Sequence, residues 1–370
     1  MVSEKNINSK IPNIHFIFPA GGKKGSFQGG FIYQLKKNYN NLFKIYQIDG
    51  TSIGALNGID LLLSSPEIIK KHWYKIKNIN DIAPLNSKNI MLTKRGNDIF
   101  SYIKSFKSFG VGQNKKLKKK IDDVINNANI DDKINKLNLF NCTVCDIEKG
   151  ENIYINGTNE NINQYLLASA SAWILFPPVK IGISYFTDGG IEDYYPIKNL
   201  KDSKADLKVI VGLPFLNKKG TIGNNNLLYL SRLISLGCYK KNEIDYNIIK
   251  KKEKNNEIIV IRNLYEEDVD ESEDASFKFD SYELRKNFEM GMKECDNFVK
   301  LYLRSNNFNN EKNIEITVPE IDEYNKKLSI TNQKEKFILL LEKIIYSIQN
   351  KRKETKNNIK FNFLKKNKKF

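Results

Sequence analysis

The sequence predicts an α/β protein, and two observations support this class. Short apolar segments of strand length alternate with longer segments of helical periodicity over the first two-thirds of the 370 residues. Glycine-rich turns join predicted strands to predicted helices at two places. The four cysteines are too few and too scattered for a disulfide framework, so a hydrophobic core must hold the fold.

The predicted elements follow one another in the order that an α/β fold requires. Strands are predicted at residues 13–18, 44–48, 139–147, 152–155, 185–187 and 207–211. Helices are predicted at residues 26–38, 53–63, 66–77, 115–126 and 161–170, with irregular structure at 78–112.

Beyond residue 216 the pattern becomes mainly helical. Helices are predicted at 227–236, 281–303 and 335–349, with one strand at 257–261 and a basic tail at 351–370. The chain is therefore divided into an N-terminal segment (1–12), a catalytic domain (13–215), a mainly helical region (216–350) and the tail. One interpretation of the helical region is a regulatory role.

A formal net charge of +17 favours anionic partners, either nucleic acid or lipid surfaces. No nucleic-acid-binding signature is present, so nucleic acid is not an expected partner. The lysine cluster at 115–120 and the tail at 351–370 are candidate contacts with a phospholipid membrane, and well-solvated surfaces are an equally good interpretation.

The sequence predicts a cytoplasmic or peripheral membrane protein. No apolar segment has the length of a membrane-spanning helix, and the N-terminus does not resemble a signal peptide. Secretion as an effector, without such a signal, stays open. Cys142 and Cys145 form a lone C-x-x-C with no second ligand pair, so they are interpreted as strand thiols and neither a metal nor a cofactor is expected.

Three short segments carry the chemistry. The first is the loop that contains Gly21, Gly22, Lys23, Lys24 and Gly25, between a predicted strand and a predicted helix. Backbone N–H groups in such a loop, beside a helix N-terminus, favour negative charge. Either a phosphate cradle or an oxyanion hole for acyl transfer fits this pattern.

The second segment places Ser52 between Gly50 and Gly54, after an apolar strand and before a helix. This G-x-S-x-G pattern is typical of a nucleophile elbow, in which a tight turn exposes the serine hydroxyl. The third segment, Thr187 to Gly190, presents Asp188 on a turn at a strand end.

The histidine count limits how Ser52 could be activated. Only His15 and His72 occur, and neither stands in the chain order of a Ser–His–Asp triad. A serine activated by a carboxylate remains, and both histidines are interpreted as structural.

In this order the three segments resemble the patatin-like phospholipases, in which a glycine-rich loop, a G-x-S-x-G elbow and a D-G-[GA] turn occur. The resemblance covers roughly residues 13–215 and includes residues 168–179, although Ala20 and Trp173 replace the usual glycine and proline. It implies a three-layer fold with a mostly parallel sheet between helices. It also implies a dyad of Ser52 and Asp188, with the oxyanion hole at Gly21–Gly25.

The resemblance further implies a lipid acyl hydrolase of the phospholipase A or lysophospholipase type, acting on membrane phospholipids. It also implies dependence on a protein or small-molecule activator in some members. Two alternatives stay open: a catalytically silent membrane-binding or effector protein on the same fold, and a nucleotide-binding protein that uses the glycine-rich loop.

Overall fold

An eight-stranded mixed sheet forms the centre of the protein. It is seen in a computed structural model that describes residues 11–82, 84, 113–128, 130–172, 175–212, 226–263 and 279–303. The strands are β1 (Asn13–Phe18), β2 (Lys44–Thr51), β3 (Phe140–Asp146), β4 (Glu151–Asn156), β5 (Val179–Ile181), β6 (Ser184–Asp188), β7 (Leu207–Val211) and β8 (Ile259–Ile261). The predicted helix at 335–349, the tail at 351–370 and Trp173 lie outside the described residues.

The strand order is β5-β6-β3-β2-β1-β7-β8, with β4 paired to β3. Five adjacent strands of this order run parallel to one another: β3, β2, β1, β7 and β8. The strands β4, β5 and β6 are antiparallel to their neighbours. β1 is buried from its second residue and β7 over its last three residues, as expected for apolar strands at the centre of a parallel sheet.

The pairing of β3 brings two strand ends together. β4 pairs with β3 from Asn141 to Asp146 and so occupies one edge of that strand. The other edge is shared: β2 pairs with its first half and β6 with its second half. Because β2 is parallel and β6 antiparallel to β3, these two strands point toward each other. They end at Thr51 and Asp188, opposite the adjacent residues Thr143 and Val144.

Eight α-helices of the described chain pack against the sheet and against one another. They are α1 (Gly25–Asn38), α2 (Ile53–Leu63), α3 (Pro66–Tyr74), α4 (Lys115–Asn126), α5 (Ile130–Asn138), α6 (Ile162–Ser169), α7 (Asn226–Lys254) and α8 (Ser281–Phe298). The mostly parallel sheet flanked by helices, and the mainly helical C-terminal region, are confirmed. β5 and α5 are elements that the sequence pattern did not predict.

Helix α8 packs closely on α1, the helix that follows the glycine-rich loop. A Cβ atom added to Gly30 of α1 would lie 1.7 Å from the Phe288 carbonyl oxygen. One added to Gly291 of α8 would lie 1.9 Å from the Phe27 carbonyl oxygen. The two helix backbones therefore touch at two points, which small residues alone allow. Within the part of the chain that the structure describes, no helix is both long and apolar enough to cross a membrane.

Candidate active site

Ser52 occupies the sharp turn between β2 and α2. Its backbone has φ 57° and ψ −128°, and it is one of two non-glycine residues with positive φ in the described chain. A Cβ atom on Gly50 would lie 2.6 Å from the Ala55 Cα, and one on Gly54 would lie 2.0 Å from the Phe18 carbonyl oxygen. Both glycines are therefore required by close packing, and the turn has the geometry of a nucleophile elbow.

A serine on α6 holds this turn in place. Ser169 Oγ accepts a hydrogen bond from the Ser52 backbone N–H at 2.9 Å and donates one to the Thr143 carbonyl at 2.7 Å. Ser169 is fully buried, so both bonds form away from water. This satisfies the Ser52 N–H in its unusual conformation and ties the elbow to β3.

The structure brings the predicted nucleophile and the predicted base into direct contact. Ser52 Oγ lies 2.5 Å from Asp188 Oδ2, the distance of a short O–H···O⁻ hydrogen bond. The second carboxylate oxygen accepts the Gly190 backbone N–H at 2.8 Å. The carboxylate is thereby fixed on both oxygens, with one of them directed at the serine hydroxyl.

Burial changes the acidity of this carboxyl group. Both Ser52 and Asp188 are buried. Loss of solvation raises the pKa of Asp188 from its ordinary value to about 7, and the hydrogen bonds from Ser52 and Gly190 act in the opposite direction. An aspartate with this pKa is a far better proton acceptor for a serine hydroxyl than a solvated one.

The glycine-rich loop lies between the elbow and the Asp188 turn. A Cβ atom on Gly25 would lie 2.3 Å from Ile53 Cγ1, so the loop backs directly onto the elbow. Gly22–Lys24 form one turn of 3₁₀ helix, with Gly22 at φ 54°. Within it, the Lys24 N–H donates to the Gly21 carbonyl and the Gly25 N–H to the carbonyls of Gly22 and Lys23. The first N–H groups of a helical turn have no acceptor within it, which leaves those of Gly22 and Lys23 for a ligand.

Ala20, before the loop, and Lys23, within it, are each held by a contact outside the loop. Ala20 is not at positive φ; it is buried, and its N–H donates to the Tyr194 carbonyl at 3.0 Å. The Lys23 side chain turns away to α8, where its Nζ lies 2.9 Å from Glu283 Oε2. Lys23 therefore contributes only its backbone N–H to the site, because its ammonium group pairs with Glu283 of α8.

Two buried amide side chains fasten the two ends of the loop. Gln28 Nε2 donates to the Pro19 carbonyl at 2.9 Å, and Asn57 Nδ2 donates to the Gly25 carbonyl at 2.9 Å. Asn57 also donates to Gln28 Oε1 and accepts from Trp73 Nε1. We call Gln28, Asn57 and Trp73 the amide clamp. It connects the loop to α2, the helix that Ser52 begins.

The two histidines pair with other carboxylates. His15 is fully buried, with Nε2 at 3.0 Å from Asp49 Oδ2, and His72 Nδ1 lies 3.0 Å from Asp60 Oδ2. Asp49 also accepts amide hydrogen bonds from Gln47, Asn141 and Asn199, which compensates its burial. Ser52 Oγ donates its hydrogen bond to Asp188, and neither histidine takes that position.

Cys142 and Cys145 are buried on β3 and form no disulfide, and burial raises the pKa of the Cys142 thiol to about 12. No group of three or more metal-ligating side chains occurs within the described ranges. Cys142 is part of the hydrophobic core, and Cys145 is 8% exposed.

The sequence model of the patatin-like phospholipases matches residues 16–201, which is half of the chain. The chain belongs to this family. The matched range contains Ser52, Asp188 and the whole glycine-rich loop. A search of curated protein sequences returned no match.

Among solved structures, the patatin-like chain is similar to VipD from Legionella pneumophila, with 16% sequence identity and a TM-score of 0.29. The match covers 56% of this chain and 51% of VipD, so the chain spans about half the length of that protein.

Sequence reasoning missed the residues that support the site. In the sequence, Ser169 stands out only as part of the family-like segment 168–179, and Gln28 and Asn57 only as positions within predicted helices. Their hydrogen bonds span between 9 and 117 positions along the chain. The one available signal was a polar residue on the inward face of an otherwise apolar helix, as with Asn57 on α2.

Proposed function

We propose that this patatin-like protein is a lipid acyl hydrolase of the phospholipase A or lysophospholipase type, which uses Ser52 and Asp188 as a catalytic dyad. The observation that carries the proposal is the 2.5 Å hydrogen bond from Ser52 Oγ, on the strained elbow, to the buried Asp188 carboxylate. Membership of the family supports the same class of reaction.

In the first step, Asp188 takes the hydroxyl proton as Ser52 Oγ forms a bond to the ester carbonyl carbon. The carbonyl oxygen becomes an oxyanion, and the N–H groups of Gly22 and Lys23 stabilise it. When the intermediate collapses, the ester C–O bond breaks, and the departing alcohol takes the proton from Asp188. The products are an acyl-Ser52 ester and a deacylated lipid alcohol.

In the second step, Asp188 takes a proton from water, and the resulting hydroxide forms a bond to the acyl carbon. The intermediate collapses with release of Ser52, whose oxygen recovers the proton from Asp188. A free fatty acid leaves, and the dyad returns to its starting state. No redox partner or metal ion is needed to balance either step.

The proposed substrate class comes from membership of the family. Membrane phospholipids are the proposed substrates, and the net charge of +17 is compatible with an anionic membrane surface. Activation by a second protein or by a small molecule is a separate proposal, which the same assay tests when host-cell extract is added.

Labelling by a fluorophosphonate probe, followed by hydrolysis of defined phospholipid vesicles, tests the proposal. We expect the probe to label the wild-type chain, and we expect Ser52→Ala to remove both labelling and fatty-acid release. Loss of the nucleophile in a serine hydrolase lowers kcat by a factor on the order of 10⁶. Fatty-acid release by Ser52→Ala at near the wild-type rate would overturn the dyad.

Absence of labelling in the wild-type chain, with and without extract, would favour the catalytically silent alternative. Thermal stabilisation by a nucleotide in a chain without esterase activity would favour the nucleotide-binding alternative.

A further inference from the structure

We propose that two adjacent β-turns, which lie beyond the carboxyl end of β3 and the amino end of β6, form a membrane-docking tip. This tip inserts into the surface of a phospholipid bilayer. The tip consists of the β5–β6 turn (Gly182 and Ile183), the start of β6 at Tyr185, and the β3–β4 turn (147–150). The proposal deepens the proposed function, on which it rests, because it assigns the surface through which the dyad would reach its lipid.

The strand directions place this tip on the side of the sheet that carries Ser52. β3 runs past the end of β2 toward its turn at 147–150, and β6 begins beside that turn and ends at Asp188. Tyr185 is three residues, and Ile183 five residues, before Asp188. At about 3.3 Å per residue, these residues lie roughly 10 and 16 Å beyond the dyad.

The chemistry of the tip is that of a membrane interface. Ile183 is 95% exposed on a tight turn, a position where polar residues and glycine are usual. Ile147 is 47% and Tyr185 39% exposed, and the Ile147 N–H donates to the Tyr185 carbonyl, so the two are cross-strand neighbours. Ile147 and Tyr185 therefore lie on one face of the sheet, and Ile183 is two residues from Tyr185 along the chain.

Basic groups border these side chains. Lys180 is paired with Tyr185 across the hairpin, and its Nζ lies 5.6 Å from the centre of the tyrosine ring. The Lys149 side chain is exposed on the neighbouring turn, and its Nζ lies 3.5 Å from Oδ2 of the buried Asp146. Glu148 is a second nearby acid, and its carboxylate accepts the Tyr185 backbone N–H at 2.8 Å.

An aliphatic tip, an amphipathic tyrosine and flanking lysines match the layers of a bilayer surface, from acyl chains outward to phosphates. Interfacial segments enter the boundary between headgroups and acyl chains by roughly 5–10 Å. Insertion of the tip to that depth would leave the dyad within about 6–11 Å of the boundary, by the same spacing. A phospholipid ester would then be drawn out of the bilayer by a short distance to reach Ser52.

The test separates membrane binding from catalysis by use of the full chain with Ser52→Ala. Sedimentation with mixed phosphatidylcholine and phosphatidylserine vesicles measures the membrane binding of two proteins. One is this Ser52→Ala parent chain, and the other carries Ile183→Ser and Tyr185→Ser in addition. Burial of an isoleucine side chain changes an equilibrium constant by about ten- to a hundredfold, so we expect a loss of that size. Ile183→Leu should retain binding.

Ile134→Ser is the matched control. Ile134 is also an exposed isoleucine, at 69%, but it lies on α5, which leads into the opposite, amino end of β3. We expect this control to bind vesicles as the parent chain does. With Ser52 restored, both sets of variants should hydrolyse a soluble monomeric ester at the wild-type rate.

Vesicle binding that survives Ile183→Ser with Tyr185→Ser would overturn the docking tip. A wild-type dimer that these changes dissociate, with vesicle binding intact, would assign the tip to a second copy of the chain instead. Failure of the proposed function is distinct, because soluble-ester hydrolysis would then be absent from the wild-type chain or would not depend on Ser52.

Discussion

Ser52 stands in a backbone conformation that residues with a side chain rarely adopt. At φ 57° and ψ −128°, such a residue costs of order 1–3 kcal/mol, which the surrounding structure must offset. The hydrogen bond from its N–H to Ser169 and the close packing of Gly54 on β1 hold it there. The strain keeps the hydroxyl directed at Asp188.

Two substitutions of Ser52 separate the effect of backbone strain on stability from the effect of the hydroxyl group on activity. Ser52→Ala and Ser52→Gly should both abolish acyl hydrolysis. Glycine adopts positive φ without a steric penalty, whereas alanine keeps the Cβ atom, so Ser52→Gly should be the more stable by about 1 kcal/mol. Urea unfolding of the two variants measures the difference, and an equal midpoint would show that the elbow is unstrained.

Asp188 connects pH to activity. With its pKa raised by burial to about 7, the carboxylate is mostly protonated in mildly acid solution and cannot accept the Ser52 proton. We expect kcat/KM on a soluble ester to rise as the pH increases through about 7. A profile that is flat from pH 5 to 8 would contradict the assignment of Asp188 as the base.

The same shift connects pH to stability, with a definite sign. The folded pKa is about 7 and the unfolded value is near 3.8, so between these values the native state binds more protons. The free energy of unfolding therefore falls as the pH rises through this window, since ionisation is opposed by burial. Asp188→Asn removes that loss, and it should be inactive but more stable than wild type at pH 8.

The gain from Asp188→Asn should shrink toward pH 4, because the folded carboxyl group is then protonated and the unfolded one, with a pKa near 3.8, is about half protonated. Asp81→Asn is the control of opposite sign, because hydrogen bonds from the backbone of Lys77 and Asn78 lower the pKa of that exposed carboxyl. It should lose stability at pH 8. Thermal unfolding at the two pH values measures both variants.

At the scale of elements, α2 links the dyad to the glycine-rich loop. Its first residue follows Ser52, and one turn later Asn57 holds the Gly25 carbonyl through the amide clamp. The loop is therefore positioned by the helix that also positions the nucleophile. In the proposed mechanism, such shared support keeps the oxyanion donors at a fixed distance from Ser52 Oγ.

Asn57→Ala should lower both stability and kcat. It leaves the Gly25 carbonyl, the Gln28 amide oxygen and the Trp73 N–H without their buried partner, at a cost of about 1–3 kcal/mol. Ser64→Ala, at the other end of α2, removes a buried hydrogen bond to Asp60 and is the control. Both variants should unfold at lower temperature, but Asn57→Ala alone should lose kcat on a soluble ester by tenfold or more.

The elements themselves differ in how far the sequence reveals them. β1, α2 and α4 coincide with their predicted ranges, because each is a continuous apolar or amphipathic segment between clear turn residues. β5 is three residues long and follows two prolines, so it carries no periodic signal. Ser52 and Asp188 stand out because they lie in glycine turns, whereas the partners of Ser169 are set by tertiary contact alone.

At the scale of the whole molecule, the C-terminal region contributes to the structure that supports the site. α8 lies outside the range matched by the family, yet it touches the backbone of α1 and pairs Glu283 with Lys23 of the loop. The buried side chains of Leu284, Phe288 and Phe298 belong to the same core as β1 and α1. The division at residue 215 stays a prediction, and the packing of α8 provides a way to probe it.

Gly291→Ala probes that packing with a single methyl group. The added Cβ would meet the Phe27 carbonyl oxygen at 1.9 Å and the Phe31 nitrogen at 2.8 Å, both in the backbone of α1. Because neither helix can yield locally, α8 must shift, and we expect a loss of about 1–3 kcal/mol in the free energy of unfolding. Lys293→Ala, an exposed change on the same helix, should have little effect.

The kinetic result of Gly291→Ala distinguishes two roles for α8. If α8 only completes the core, the folded variant should hydrolyse a soluble ester at the wild-type rate. If α8 also holds the glycine-rich loop through Lys23 and Glu283, kcat should fall while KM stays unchanged, and Glu283→Gln should reproduce the fall without the loss of stability. We expect the second result, because the loop is attached to α1 and moves with the helix that α8 holds.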